Sequence, residues 1–291
     1  MKRLSLALLI VFAMPASAQE LATAFKSTEV APGIHLVEGA DGFGGGNIAL
    51  LVGKQYVVLV DDGLEPIAKI LQEYVQGLAG RPINFVVNTH VHGDHAGGNA
   101  YFAENGTVVV AHENIRRRLL EDADPAGGPA GLPVLTFEDG VNFYLDGIEA
   151  RIFHLPHAHT DGDAGILFPG LNVLQAGDTY FNGLFPFIDL DNGGSVDGYI
   201  SAQRRLLEMA SPDTKIIPGH GPLASRADLE KDLATLIEAR ALVEAMVEDG
   251  KTEDQIVAAN PLAKFHDDYN WGFITTERMT RTLYRDLTNG K

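Results

Sequence analysis

The stretch Thr89-His90-Val91-His92-Gly93-Asp94-His95-Ala96-Gly97-Gly98-Asn99 constrains this chain more than any other. It directly follows Ile83-Asn84-Phe85-Val86-Val87-Asn88, an apolar, β-branched run that reads as a buried strand. His90 and His92 are two residues apart, so in extended backbone their side chains point the same way. Asp94 and His95 fall where a helix begins, and Gly97 and Gly98 let that helix pack closely. Neutral imidazole nitrogens beside a hard carboxylate oxygen form the donor set of a divalent transition metal. A lone His-x-His on a surface carries no such meaning. The whole string at the end of a buried strand does.

The N-terminus has a second pattern. Met1-Lys2-Arg3 precedes an apolar run from Leu4 to Met14 and then Ala16-Ser17-Ala18. A charged start, a short apolar centre and a small-x-small site describe a secretory leader cut before Gln19, giving 1–18 as leader and 19–291 as one large α/β domain. The expected location is periplasmic or secreted. The apolar run is too short to span a bilayer, and no Cys follows the cut to carry a lipid anchor. The 291 residues contain no cysteine, so thiolate nucleophiles and thiolate ligands are absent and the exported core holds without disulfides. Net charge is −17, and loss of Lys2 and Arg3 takes it from −17 to −19. That balance disfavours nucleic acid and anionic membranes as partners and leaves a small-molecule substrate.

Along the chain, Ile34–Glu38, Ile48–Val52 and Tyr56–Val60 read as strands of a meander. The glycine-rich loop between the first two carries Phe43, a candidate substrate flap. A helix over Glu65–Leu78 precedes the metal stretch. A strand over Thr107–Ala111 and an arginine-rich helix over Glu113–Glu121 follow it, and 122–133 reads as a surface loop. Strands of a second sheet are expected at 134–137, 141–145, 148–154, 166–168 and 173–175. The segment 180–198 reads as irregular. Then come a helix over 199–209, a strand at 215–217, and helices capped by Ser225 with Asp228 and by Thr252 with Gln255. A last helix spans 275–287. This order suits two packed sheets with helices outside.

Two further segments complete the candidate site. Pro156-His157-Ala158-His159-Thr160-Asp161-Gly162-Asp163 follows a strand. His159 opens its polar turn and is the choice to join His90 and His92. His157 and His154 are read as supporting or loop residues, with His157 a candidate substrate contact. Asp178 and His220 each close an apolar run, Asp178 within Ala176-Gly177-Asp178-Thr179 and His220 between glycines. Asp94, His95 and His220 then form a second ligand set, and Asp178 can bridge the two through its two oxygens. Two cations roughly 3.5–4 Å apart form a hydrolytic pair. Metal coordination brings the pKa of bound water to about 7. Asp94 can also orient that water, so Asp94 and Asp178 are the catalytic candidates. Phe43, Phe181, Phe185, Phe187 and Tyr180 are candidates for an apolar wall, with Trp271 and Phe273 close by.

With His90-x-His92-x-Asp94-His95, His159, Asp178 and His220 in this order, the chain resembles the metallo-β-lactamase superfamily. The resemblance implies a four-layer αβ/βα sandwich and two zinc ions, manganese or iron being alternatives. It assigns His90, His92 and His159 to the first ion and Asp94, His95 and His220 to the second, with Asp178 between them. Secreted lactamases of the best-known type place Cys where this chain has Asp178, which is closer to glyoxalase II and the lactonases. The expected activity is hydrolysis of a small amide, ester or lactone carbonyl, β-lactams included. The alternatives are a phosphodiesterase or thioesterase of the same fold, a mononuclear iron dioxygenase, and a non-catalytic protein that keeps a metal for stability.

Overall fold

Short β-branched runs build two sheets. In the first, β1 (Phe25–Ala31), β2 (Ile34–Gly39), β3 (Ile48–Val52), β4 (Val57–Val60), β5 (Phe85–Val87), β6 (Val108–His112) and β7 (Leu135–Phe137) lie side by side in chain order. β1 to β4 form the antiparallel meander, and β4 to β7 run parallel. The second sheet holds β8 (Gly140–Leu145), β9 (Ile148–His154), β10 (Ala164–Phe168), β11 (Val173–Phe181), β12 (Lys215–His220) and β13 (Ala224–Ser225). It is antiparallel except for the parallel pair β11–β12. This computed structural model describes residues 20–121 and 128–288. The expected leader and residues 122–127 of the expected loop lie outside the described residues.

The sheets face each other across one apolar layer, in which Leu36, Leu51, Val60 and Val87 meet Ile152, Ile166, Phe168 and Ile217. Helices cover the outer faces. α1 (Ala68–Ala79), α2 (Gly93–Ala96), α3 (Asn99–Glu104) and α4 (Glu113–Glu121) arise from the first half of the chain. Leu71 and Val75 of α1 and Phe102 of α3 pack on Leu50, Leu59 and Val86. Each such side chain contributes roughly 1.5–3 kcal/mol on burial. On the other side α5 (Val196–Met209) and α6 (Arg226–Glu248) set Ala202, Leu206 and Leu229 against Leu174 and Ile216. The result is a four-layer αβ/βα sandwich. α7 (Glu253–Ala259), α8 (His266–Tyr269) and α9 (Thr276–Thr288) extend α6 into a second apolar cluster that also takes in Phe185 and Ile188. Among the described residues no helix is long and apolar enough to cross a membrane.

The topology gathers strand ends at one edge. β4 leads into Asp61, β5 leads to His90, and the parallel strands β11 and β12 deliver Asp178 and His220. Asn47, just before β3, joins the two edges: its N–H donates to Gly219 O at 2.7 Å and its side-chain amide to Pro218 O at 3.0 Å.

Three features depart from expectation. β1 was not anticipated. β11 runs on to Phe181 and α5 starts at Val196, capped by Ser195, so the irregular segment is shorter than 180–198. The register of β11 against β12 also shifts around Gly177, where φ is +51°. This bulge re-aims the side chains beyond it. The capping boxes at Ser225/Asp228 and Thr252/Gln255 are both present.

Candidate metal centre

Four imidazoles are oriented from behind, and the partners fix which nitrogen faces inward. The Nδ1–H of His95 donates to Asp61 Oδ2 at 2.8 Å, and that of His159 to Phe187 O at 2.8 Å. The Nε2–H of His92 donates to Asp189 Oδ2 at 2.8 Å. Thr89 spends its hydroxyl proton on Asp61 Oδ2 at 2.8 Å. The contact of 3.1 Å between Thr89 Oγ1 and His90 Nδ1 is therefore donated by the imidazole. Lone pairs at His90 Nε2, His92 Nδ1, His159 Nε2 and His95 Nε2 consequently all point into one space.

That convergence is what a cation requires. His92 Nδ1 and His159 Nε2 are 2.8 Å apart, lone pair against lone pair. His90 Nε2 is buried with no hydrogen-bond partner. Asp178 Oδ1 is likewise buried without a donor, since His95 Nε2, 3.0 Å away, presents a lone pair once its Nδ1–H is given to Asp61. Orphaned buried groups are costly unless something not drawn from the protein satisfies them. The donors fall into compact sets, each within 4.8 Å: His90, His92, His159 and Asp178; His90, Asp94 and His95; His95, Asp178 and His220. The residues fit a pair of divalent ions.

Asp178 faces both halves. Its Oδ2 lies 3.4 Å from His159 Nε2 and 3.7 Å from His90 Nε2, and its Oδ1 lies 3.5 Å from His220 Nε2. Asp94 Oδ2 sits 3.2 Å from His220 Nε2 and 3.7 Å from His95 Nε2. Burial alone would raise the Asp178 carboxyl, yet His95, His220 and His90 outweigh it and hold the group well below the carboxylate range. Burial pushes His90 well down and His159 to about 4, keeping both neutral as ligands must be. At His220 burial is overcome by Asp178 and Asp94, which lift it to about 9. The site therefore attracts positive charge.

The structure brings all seven expected ligands together. It separates two residues expected to touch substrate. Tyr180 lies in the core, its hydroxyl on Asp232 and Asn182, because beyond the bulge Phe181 takes the position facing the cleft. His157 is exposed at φ +52°, and its Nδ1 meets Gly193 O, away from the ligands. Phe185 also packs in the core. Phe43 does reach the site. Its ring stacks on His220 at 6.4 Å, and with Phe181, Phe187, Trp271 and Phe273 it walls a cavity of about 350 Å³ over Asp94 and Asp178. A wider cleft of about 900 Å³ continues along residues 42–47 and Trp271. Gly46 is held to glycine by close approach, since a Cβ there would lie 2.1 Å from the His95 ring.

Sequence reasoning missed the groups behind the ligands. Asp61 and Thr89 orient His95 and His90, and Asp189 orients His92. The signal for Asp61 was its place at a strand end, but Asp189 is 97 residues from its imidazole and gives no local sign. Replacing Asp189 with asparagine is expected to weaken the first ion's affinity about 10- to 100-fold. Chelator competition against the unmutated protein measures this, and unchanged affinity would refute the role.

The profile of the metallo-beta-lactamase superfamily matches residues 41–220. The hydroxyacylglutathione hydrolase of Methylococcus capsulatus is 30% identical over 192 residues, covering 63% of this chain and 68% of the relative. The 2,4-dinitroanisole O-demethylase subunit alpha of a Nocardioides species is 27% identical over 154 residues, 52% of this chain and 44% of that protein's length. Among solved structures, a metallo-beta-lactamase from Pontibacter korlensis superposes with a TM-score of 0.64 at 19% identity, over 73% of this chain and 98% of that one. With its ligand string, its layered fold and this match, the chain belongs to the metallo-beta-lactamase superfamily.

Proposed function

We propose that this protein is a dinuclear zinc hydrolase that opens a small ester, thioester, lactone or amide carbonyl, β-lactams among them. The observation that carries this reading is Asp178, with one oxygen toward His90 and His159 and the other toward His95 and His220. His90, His92 and His159 would hold one ion and Asp94, His95 and His220 the other. When bound, the ions supply Lewis acidity toward the carbonyl and lower the pKa of water to about 7.

The rest falls to the chain's own side chains. Burial would raise the Asp94 carboxyl, but His95 and His220 outweigh it, so Asp94 stays ionised. It is placed to accept a hydrogen bond from the attacking water and hold its direction. Asp61, Thr89 and Asp189 keep the imidazoles from turning. Phe43, Phe181, Phe187, Trp271 and Phe273 exclude bulk water and receive an apolar acyl body. Among the described residues neither Lys nor Arg lines this cavity, which favours a carbonyl compound over a phosphodiester. The likeness to a hydroxyacylglutathione hydrolase supports thioesters within the class. The leader expected at 1–18 places the enzyme outside the cytoplasm in this proposal.

The test is metal analysis and a panel of esters, thioesters, lactones and β-lactams on one preparation. About two zinc ions per chain are expected, with turnover of at least one class that chelation abolishes and zinc restores. Zinc-loaded protein inert toward every class would overturn the reading. So would a single iron with oxygen uptake, the dioxygenase outcome.

A further inference from the structure

The glycine-rich loop that carries Phe43 is held at both ends, by different parts of the chain. Five of its residues, Gly39, Gly42, Gly44, Gly45 and Gly46, are glycine, and a stretch of that kind loses much entropy when it is fixed. Toward β3 the metal loops fix it. The Gly46 N–H donates to Asp94 O at 3.0 Å, and the Asn47 N–H to Gly219 O at 2.7 Å. Toward β2 it is fixed by the N-terminal segment, residues 20–24. The Phe43 N–H donates to Glu20 O at 2.8 Å, and Phe43 O accepts from the Ala22 N–H at 3.0 Å. Both main-chain groups of the flap's aromatic residue are therefore taken by this segment and not by the metal loops. Gly42 is held to glycine by the same approach, since a Cβ there would lie 2.6 Å from Glu20 O.

Asp41 closes the contact. Its Oδ1 accepts from the Thr23 N–H at 2.8 Å and the Ala24 N–H at 3.2 Å, and its Oδ2 accepts from the Thr23 hydroxyl. The Ala40 N–H donates to Ala24 O at 2.9 Å. The segment is itself seated in the core, where Ala22 is buried in one apolar cluster with Phe25 and Val37. We propose that residues 20–24 are a strap belonging to the substrate site and that Asp41 is a positioning residue, which clasps the strap and so holds Phe43 where its ring receives the apolar part of the substrate. This rests on the carbonyl-hydrolase reading above.

The physical reason is preorganisation. Phe43 and Trp271 approach His220 at 6.4 and 6.2 Å between ring centres, and both line the metal cavity and the wider cleft. A ring already in place meets a ligand with no further ordering of the loop. A released glycine loop has to be ordered anew by each ligand, so affinity falls while the ions keep all their ligands. Hydrogen bonds to an ionised carboxylate are stronger than those between neutral groups, so Asp41 supplies much of the clasp. Without it the strap keeps only neutral main-chain bonds to the flap.

Trp271 is the chain's one tryptophan, so its emission reports on this cleft. The test is titration of the zinc-loaded protein and its D41A, D41N, F43A and D41A/F43A variants with N-phenyl-1-naphthylamine, a neutral apolar ligand, read by quenching of that emission. F43A should bind about tenfold more weakly than the unmutated protein. D41A should bind about fivefold more weakly. D41N still offers an oxygen to both N–H groups and should stay within about twofold. In the double variant, loss of Asp41 should add nothing to loss of Phe43. On any ester or thioester the protein turns over, D41A should raise KM more than it lowers kcat. Either single alanine variant binding like the unmutated protein would overturn the proposal. So would a D41A loss that recurs at full size without Phe43, or one that comes with a lost ion. If D41A does not fold, T23A removes one donor, leaves the carboxylate and puts the same cycle to the test. Binding is read without turnover, so a protein inert toward every carbonyl class, yet coupling Asp41 to Phe43, would sink the hydrolase reading alone.

Discussion

Replacing Asp178 with asparagine should lower kcat/KM about a thousandfold and reduce bound zinc from about two ions per chain toward one. The reason lies in the two sides of one carboxylate. Oδ2 faces His159 and His90, and Oδ1 faces His95 and His220, at 3.0–3.7 Å. Asparagine keeps one oxygen and turns the other into an NH2 donor. The amide can serve one ligand set, but toward the other it presents hydrogens where a cation needs a lone pair. The negative charge that Asp178 places between the two ligand sets is lost at the same time. Glutamate should not rescue. Gly219 packs so closely that a Cβ on it would fall 1.9 Å from Asp178 Oδ1, leaving no room for another methylene. Elemental analysis and steady-state kinetics on one preparation decide the matter. Two ions retained with activity within tenfold would show that the bridging arrangement is not what the chemistry uses.

The same carboxylate shows what was legible in advance. The seven ligands lie at the ends of apolar runs, and the spacing within 89–99 is local, so strand-end logic finds them. The fold class follows from strands grouped in two blocks with helices between. β1 escaped notice because Phe-Lys-Ser-Thr-Glu-Val-Ala buries only its ends and reads as polar. Tyr180 was misplaced for a different reason. Every residue of β11 is buried on both faces, so no alternation marks which side meets the cleft, and the bulge at Gly177 changes the register. The cleft walls come from Phe43 and Trp271, more than two hundred residues apart, through contacts that no window of sequence contains. Asp61, Thr89 and Asp189 hide similarly, since an aspartate at a strand end or in a turn has many uses.

Asp61 is the most exacting of these. It is fully buried at φ +64°, and its oxygens accept from the Thr89 N–H at 2.7 Å, the Thr89 hydroxyl at 2.8 Å and His95 Nδ1 at 2.8 Å. Burial pushes its carboxyl up, while His95 and the Thr89 bonds pull it down. Alanine at this position would orphan three buried donors and hold a Cβ in left-handed backbone. The expected cost is about 4 kcal/mol or more of folding stability, read from denaturant midpoints at unchanged slope. Asparagine separates folding from metal binding. It tolerates left-handed backbone and can still accept from the Thr89 N–H, so most stability should survive. Its amide hydrogens, however, would meet His95 Nδ1 and draw the ring into the tautomer protonated at Nε2. A nitrogen that carries a proton cannot ligate, so the second ion should bind at least tenfold more weakly while the first, held by His90, His92 and His159, stays. If D61N took up both ions with unchanged affinity, the His95 tautomer would have to be set by something other than this aspartate.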